Sequence, residues 1–185
     1  MTKAQLTVLA GPTAVGKGTV VAALTKRFPT LNVSVSATTR DPRPGELNGA
    51  HYYFVSAQEF DAMIERGDML EWALVHGKNK YGTPREPVDE ALAAGKPVLL
   101  EIDLAGARQV RTNRPDAQFI FLAPPSWEEL ERRLIGRGTE GPEEQTRRLA
   151  TARVELEAAS EFDHVVINDD VDRAVDELAR LIGLE

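Results

Sequence analysis

The sequence predicts an α/β fold, a parallel core sheet flanked by helices, from three observations. Strand-length apolar runs alternate with helical patterns along most of the chain. The first run, Leu6–Ala10, passes through a glycine-bounded loop into a helix that starts near Lys17. The length of 185 residues, with 42% hydrophobic and 6% aromatic content, is enough for the core of one compact domain carrying small inserted lobes.

Leu6–Ala10 is the first strand, and residues 11–18 that follow read Gly-Pro-Thr-Ala-Val-Gly-Lys-Gly, with Thr19 next. A strand that ends in such a loop and opens a helix leaves several backbone N–H groups unpartnered around one small volume. The helix dipole favours an anion there. Gly11, Pro12, Thr13, Ala14, Val15, Gly16, Lys17, Gly18 and Thr19 are therefore read as a phosphate cradle, with Lys17 reaching the outer phosphates of a nucleotide. The pattern G-x-x-x-x-G-K-[ST] fails only at its last position, where Gly18 replaces the hydroxyl that normally touches Mg²⁺. The ion is then expected to be held by nucleotide phosphates and water, with no protein metal ligand assigned.

The helix after the loop carries Val20, Val21, Leu24 and Phe28 on one face and stops before Pro29. Val33–Ser36 reads as the next strand. Residues 38–55, with Pro42, Pro44, Gly45 and Gly49 ahead of Tyr52-Tyr53-Phe54, read as a loop leading into short antiparallel strands that form a small lobe. Ser56-Ala-Gln-Glu59 is a capping box that opens a helix with Phe60, Met63 and Ile64 inward. Pro97–Ile102 and Phe119–Leu122 are strands, and Ser126-Trp-Glu-Glu129 repeats the capping device for a helix through Leu134. The segment 136–142, Gly-Arg-Gly-Thr-Glu-Gly-Pro, joins two arginine-rich helices and has the composition of a mobile lid. His164–Ile167 is the last strand, and Val171, Ala174, Val175, Leu178, Leu181 and Ile182 stripe the last helix.

Composition excludes several classes of function. A formal charge of −7 and a pI near 5.1 argue against a nucleic-acid polymer as partner. The early apolar runs are too short to span a membrane, and without cysteine there is neither a disulfide framework nor a thiolate metal site. A soluble, unprocessed, cytoplasmic chain is the expectation. The three histidines, His51, His76 and His164, have no ligand spacing, and Trp72 and Trp127 read as packing residues.

The charged residues that remain are clustered. Arg40 and Arg43 lie three apart in the proline-stiffened stretch Ser34–Glu46, where two guanidinium forks suit a phosphate monoester, with Tyr52 and Tyr81 as further donors. The same pair also reads as solvated surface. Glu71 lies in the apolar stretch Met69–Ala73, and Asp103 ends a strand. A carboxylate matches the N1–H and N2 donors of guanine and mismatches adenine, although Glu71 reads equally well as a surface residue at a helix end. Arg137 and Arg148 flank the glycine-rich connector, placed to neutralise a phosphoryl group in flight or to form salt bridges with Glu143, Glu144 and Glu155.

With these residues in view, the chain resembles the guanylate kinases over nearly its whole length. The shared features are the Gly-Pro-x-x-x-Gly-Lys loop, Ser34-Val-Ser-Ala-Thr-Thr-Arg40 with Pro42-Arg43-Pro-Gly-Glu46, Tyr52, Glu71 and Tyr81-Gly-Thr83. They continue through Ile102-Asp103, Pro124-Pro-Ser126, Arg137-Gly-Thr-Glu140, Arg148-Leu and Val166-Ile-Asn168-Asp-Asp170. The resemblance implies a P-loop nucleoside monophosphate kinase: a core of about 1–35, 84–125 and 160–185, a GMP-binding lobe of about 36–83 and a helical lid of about 126–159. It implies that Arg40, Arg43, Tyr52 and Tyr81 hold the GMP phosphate, with Arg148 also on the GMP side, and that Ser36, Glu71, Thr83 and Asp103 surround guanine. Lys17 and residues 11–19 would take ATP, Arg137 and Arg148 would close from the lid, and Asn168 would lie near adenine. The implied catalytic set is Lys17, Arg40, Arg137 and Arg148, with Mg²⁺ on the donor phosphates and ATP + GMP ⇌ ADP + GDP as the reaction of purine metabolism. The chain departs from the family at Gly18, at Glu101 where aspartate is expected, at Leu104-Ala105, and in a His76–Tyr81 segment one residue longer. The rival readings are a guanylate-kinase-like binding module without catalysis and a related ribose-phosphate kinase.

Overall fold

In the computed structural model, which describes residues 4–136, 138 and 140–184, the chain runs β1 (Leu6–Ala10), α1 (Lys17–Arg27), β2 (Asn32–Val33), β3 (Ala37–Thr38), β4 (Tyr53–Phe54), α2 (Ala57–Glu65), β5 (Met69–Val75) and β6 (Asn79–Pro84). It continues with α3 (Arg85–Ala93), β7 (Val98–Glu101), α4 (Leu104–Asn113), β8 (Gln118–Ala123), α5 (Trp127–Ile135), α6 (Pro142–Glu157), a 3₁₀ turn (Ala158–Glu161), β9 (His164–Ile167) and α7 (Val171–Ile182).

All five residues of β1 are buried because β1 is the middle strand of a parallel sheet ordered β2-β7-β1-β8-β9. Successive side chains point to opposite faces. Leu9 joins Val20, Leu24, Ile120, Leu122, Val175 and Leu178 under α1 and α7. Val8 and Ala10 join Leu100, Val110 and Phe119 on the face covered by α3 and α4. At about 1.5–3 kcal/mol for each large apolar side chain buried, these two layers fix the sheet, and all five parallel strands point their carboxyl ends to the same edge.

The second sheet is ordered β4-β3-β6-β5, with α2 packing Phe60, wholly buried, against Ala37 and Met69. Two expectations are corrected here. The apolar stretch Val33–Ser36 is not one strand: β2 ends at Val33 in the core sheet and β3 begins at Ala37 in the second. The aromatic run pairs β4 with β3 in parallel, because the long loop between them brings the chain back in the same direction. The antiparallel pairing comes from β3 with β6 and from the β5–β6 hairpin, which turns at His76 and Gly77, both with positive φ. That hairpin is hidden in the sequence by mixed polarity and by an irregularity between Met69 and Glu71.

The capping devices form as their chemistry dictates. Ser56 accepts from the Glu59 N–H at 3.0 Å and Ser126 from that of Glu129 at 3.1 Å. Asp170 caps α7, which closes at Gly183 in the left-handed region.

Candidate active site

The loop after β1 is shaped by close approach and by backbone angle. A Cβ on Gly11 would lie 2.4 Å from the Leu122 carbonyl oxygen of the neighbouring strand, so only glycine lets the chain leave the sheet there. Ala14 and Gly16 take φ of +67° and +95°. No side chain caps α1, whose first N–H groups are therefore left for an anion. The Lys17 ammonium donates to the Gly11 carbonyl at 2.9 Å. Burial lowers its pKa, while Glu155, Glu101 and Asp103 act to raise it.

Arg40 is the centre of a second cluster. Its guanidinium makes a two-pronged pair with Glu46 at 2.9 and 3.0 Å, donates from Nε to the Tyr81 hydroxyl at 3.2 Å, and lies 5.3 Å from the Tyr52 ring centroid. Glu46 also accepts the Arg43 backbone N–H at 2.7 Å. These bonds from Arg40 first, then Arg43, hold the Glu46 pKa down at about 2.

Of the two readings of Glu71 the structure takes the buried one: it is a residue of β5, not a surface residue at a helix end. Its Oε1 accepts from the Thr83 hydroxyl of β6 at 2.7 Å. Burial raises its pKa, the Thr83 bond lowers it, and the nearby Asp103 charge raises it again. Asp103 is the N-cap of α4, accepting from the Gly106 N–H at 2.8 Å. A Cβ on Gly106 would meet Glu71 Oε2 at 3.0 Å and Asp103 Oδ1 at 3.2 Å, so a larger residue here would press on both carboxylates. Asp103 acts electrostatically on Lys17 as well as on Glu71, and so stands between the two clusters.

Arg148 of α6 pairs with Glu140 at 2.6 Å and Glu144 at 3.5 Å, the salt-bridged arrangement, and not with the loop. Arg137 lies outside the described residues. Asn168 is 4% exposed, and its amide donates to the Val15 carbonyl at 2.8 Å. Ser36 is half-buried beside β3, and its carbonyl accepts from the Tyr53 N–H at 2.8 Å.

The structure therefore gathers Arg40, Tyr52 and Tyr81 in one cluster and Glu71, Thr83 and Asp103 in another. It leaves Arg148 engaged with Glu140 and Glu144. Three residues were given no individual role by the sequence. Glu46 holds Arg40. Glu155 of α6 takes a backbone hydrogen bond from Thr13 and faces Lys17, and its own pKa is raised by burial. Arg133 of α5 donates to the Val15 carbonyl at 3.2 Å. All three are tertiary contacts, and spacing carried no signal for the last two. A cavity of about 450 Å³ lined by Ala4, Leu6, Leu92 and Arg114 opens at the other end of the sheet and includes none of these groups.

A family model described as guanylate kinase matches residues 3–185. A guanylate kinase of Thermobifida fusca (strain YX) is 61% identical over 179 residues, which is 97% of this chain and 91% of that one. One from Nocardia farcinica (strain IFM 10152) is 59% identical over 180 residues, covering 97% and 93%. The crystal structure of guanylate kinase from Anaplasma phagocytophilum superposes with a TM-score of 0.75 at 31% identity, over 99% of this chain and 86% of that one. Shikimate kinase from Bacteroides thetaiotaomicron, at 13% identity and a TM-score of 0.51 over 97% and 98% of the two chains, shares the fold.

Proposed function

The chain belongs to the guanylate kinase family, and from that premise we propose that it catalyses ATP + GMP ⇌ ADP + GDP by in-line phosphoryl transfer. The observation that carries this reading is the pairing of an anion cradle with a guanine-matched acidic pocket, linked through Asp103. Residues 11–19 hold the donor phosphates, and Lys17 exchanges its Gly11 carbonyl for a phosphate oxygen. Arg40, Arg43, Tyr52 and Tyr81 hold the GMP phosphate, and Ser36, Glu71, Thr83 and Asp103 read its base. Residues 36–83 are the acceptor lobe and 126–159 the lid, which brings Arg137 and Arg148 to the phosphates on closure.

The chemistry needs little from a general base. A phosphate monoester oxygen is already largely anionic at neutral pH, so catalysis reduces to alignment and charge stabilisation by Lys17, Arg40, Arg137 and Arg148. The donor set at the loop suits a Mg²⁺ that arrives with the nucleotide. Gly18 contributes no hydroxyl, and Glu101 Oε1 lies 3.9 Å from the point a Cβ on Gly18 would occupy, so a carboxylate stands beside the loop to accept from water on the ion. A Mg²⁺ held there would supply positive charge against the donor phosphates. Among the described residues no helix is long and apolar enough to cross a membrane, which suits an enzyme acting on cytoplasmic nucleotides.

The test is ADP formation measured with GMP, AMP and phosphorylated ribose offered side by side. Turnover with GMP alone is the expected result. Preference for the ribose phosphate, or no nucleotide heat on titration with GMP, would overturn the reading.

A further inference from the structure

The Val15 carbonyl oxygen accepts from two side chains that come from different parts of the fold. Asn168, at the carboxyl end of β9, donates from Nδ2 at 2.8 Å, and Arg133 of α5 donates from a terminal nitrogen at 3.2 Å. A carbonyl has two lone pairs, so both bonds can be satisfied at once. Both donors are themselves held. Asn168 is buried, and its backbone N–H bonds the Ala123 carbonyl at 2.8 Å. Arg133 donates from Nε to Glu129 Oε1 at 3.0 Å, one turn back on its own helix.

The loop needs such a clamp. Val15 lies between two residues with positive φ, Ala14 at +67° and Gly16 at +95°, and for the alanine that angle is intrinsically disfavoured. In a trans peptide the C=O and the following N–H point in opposite directions. Fixing the Val15 carbonyl toward β9 and α5 therefore fixes the Gly16 N–H toward the side away from both clamps. The clamp also accounts for glycine at 16, since a Cβ there would stand 2.9 Å from Asn168 Nδ2.

We propose that Arg133 and Asn168 are positioning residues for the donor site: they hold the Val15–Gly16 peptide so that its N–H is presented to the donor phosphates. The proposal rests on the kinase reading above, and it gives Asn168 a task independent of the nucleotide base. Wild-type turnover of GMP tests that kinase reading separately.

The experiment uses the full chain and the variants Asn168→Ala, Asn168→Asp, Arg133→Met and Arg133→Lys. Binding of ATP and of base-free inorganic tripolyphosphate is measured by calorimetry, alongside the KM for GMP. Loss of one such hydrogen bond should weaken both polyphosphate ligands about tenfold while the KM for GMP stays within about twofold. Asn168→Asp should be worse than Asn168→Ala, because it sets a carboxylate against the Val15 oxygen, and Arg133→Lys should recover part of what Arg133→Met loses. Arg133 lies on an accessible helix face and reports the clamp even if the buried Asn168 variants fold poorly. Weakened ATP binding with unchanged tripolyphosphate binding would overturn the proposal in favour of a contact to the base. Equal losses for ATP, tripolyphosphate and GMP, or no loss in Arg133→Met, would also overturn it.

Discussion

In the function proposed above, the donor loop and the acceptor lobe have the same task, to hold a phosphate, and they prepare for it by opposite means. The loop uses its backbone: a glycine forced by the Leu122 carbonyl, two positive φ angles, and uncapped N–H groups at the start of α1. The lobe uses side chains, with the Arg40 guanidinium already neutralised by Glu46 and braced by Tyr52 and Tyr81. One site is open and positively biased before a ligand arrives. The other holds its charge in reserve against an internal anion, so GMP must compete with a carboxylate for Arg40. The backbone cradle depends on neighbours that fix its peptides, such as Leu122, Asn168 and Arg133, whereas the side-chain cradle depends on the residues that brace the guanidinium itself.

The comparison breaks most visibly at Lys17, the cationic side chain that the backbone cradle itself carries. Lys17→Met should lower turnover about 10²–10³-fold, the usual cost of removing a preorganised electrostatic group from a transferring phosphoryl. GMP affinity should be unchanged. Stability should not suffer, because burial already disfavours this ammonium. Rates by coupled assay together with a thermal melt check this, and near-normal turnover would refute the role assigned to Lys17.

The same contrast explains what the sequence revealed. The loop was legible because its geometry is written in contiguous residues, Gly11 to Thr19. Leu6–Ala10 was legible to its ends because a buried parallel strand reads as an unbroken apolar run, and the edge strand His164–Ile167 was legible from its β-branched run although only Val166 is buried. The lobe was not legible in this way. Glu71 and Thr83 face each other across a hairpin of mixed polarity, and Arg40 meets Tyr81 across 41 residues, so only the family resemblance brought them together beforehand. Arg133, in one of the two arginine-rich helices, carried no individual signal for the same reason: its partner Val15 is 118 residues away.

Glu71 sharpens the contrast, because in the lobe specificity and stability pull against each other. The folded protein raises its pKa, chiefly by burial, so the native state binds this proton more readily than the unfolded chain. Its ionised form therefore costs stability above the unfolded pKa, and that cost is relieved as pH falls through the raised value. Glu71→Gln should accordingly melt slightly higher than wild type at neutral pH. It should also lower kcat/KM for GMP about thirtyfold, as expected for losing a charged acceptor to paired donors. In the wild type the same proton removes guanine recognition, so KM for GMP should climb as pH falls, beginning above the ordinary glutamate range, whereas the variant lacks this component. The GMP phosphate itself titrates near pH 6, so the difference between the two enzymes, not either profile alone, isolates Glu71.

The smallest expected effect tests whether Glu46 is a brace or only a competitor. A pKa near 2 keeps it ionised throughout the working range, so it adds nothing to the pH dependence just described. If competition with the substrate dominated, Glu46→Gln would tighten GMP binding by freeing Arg40. But Glu46 also fixes the Arg43 backbone N–H at 2.7 Å, and with it the turn of the proline-rich loop. Ordering that loop anew in each binding event costs conformational entropy. The brace should therefore win, and Glu46→Gln should raise the KM for GMP about threefold, since a neutral amide keeps part of the bonding, with kcat and the KM for ATP unchanged. A lower KM for GMP in steady-state assays of this variant would show that competition for Arg40 outweighs the brace.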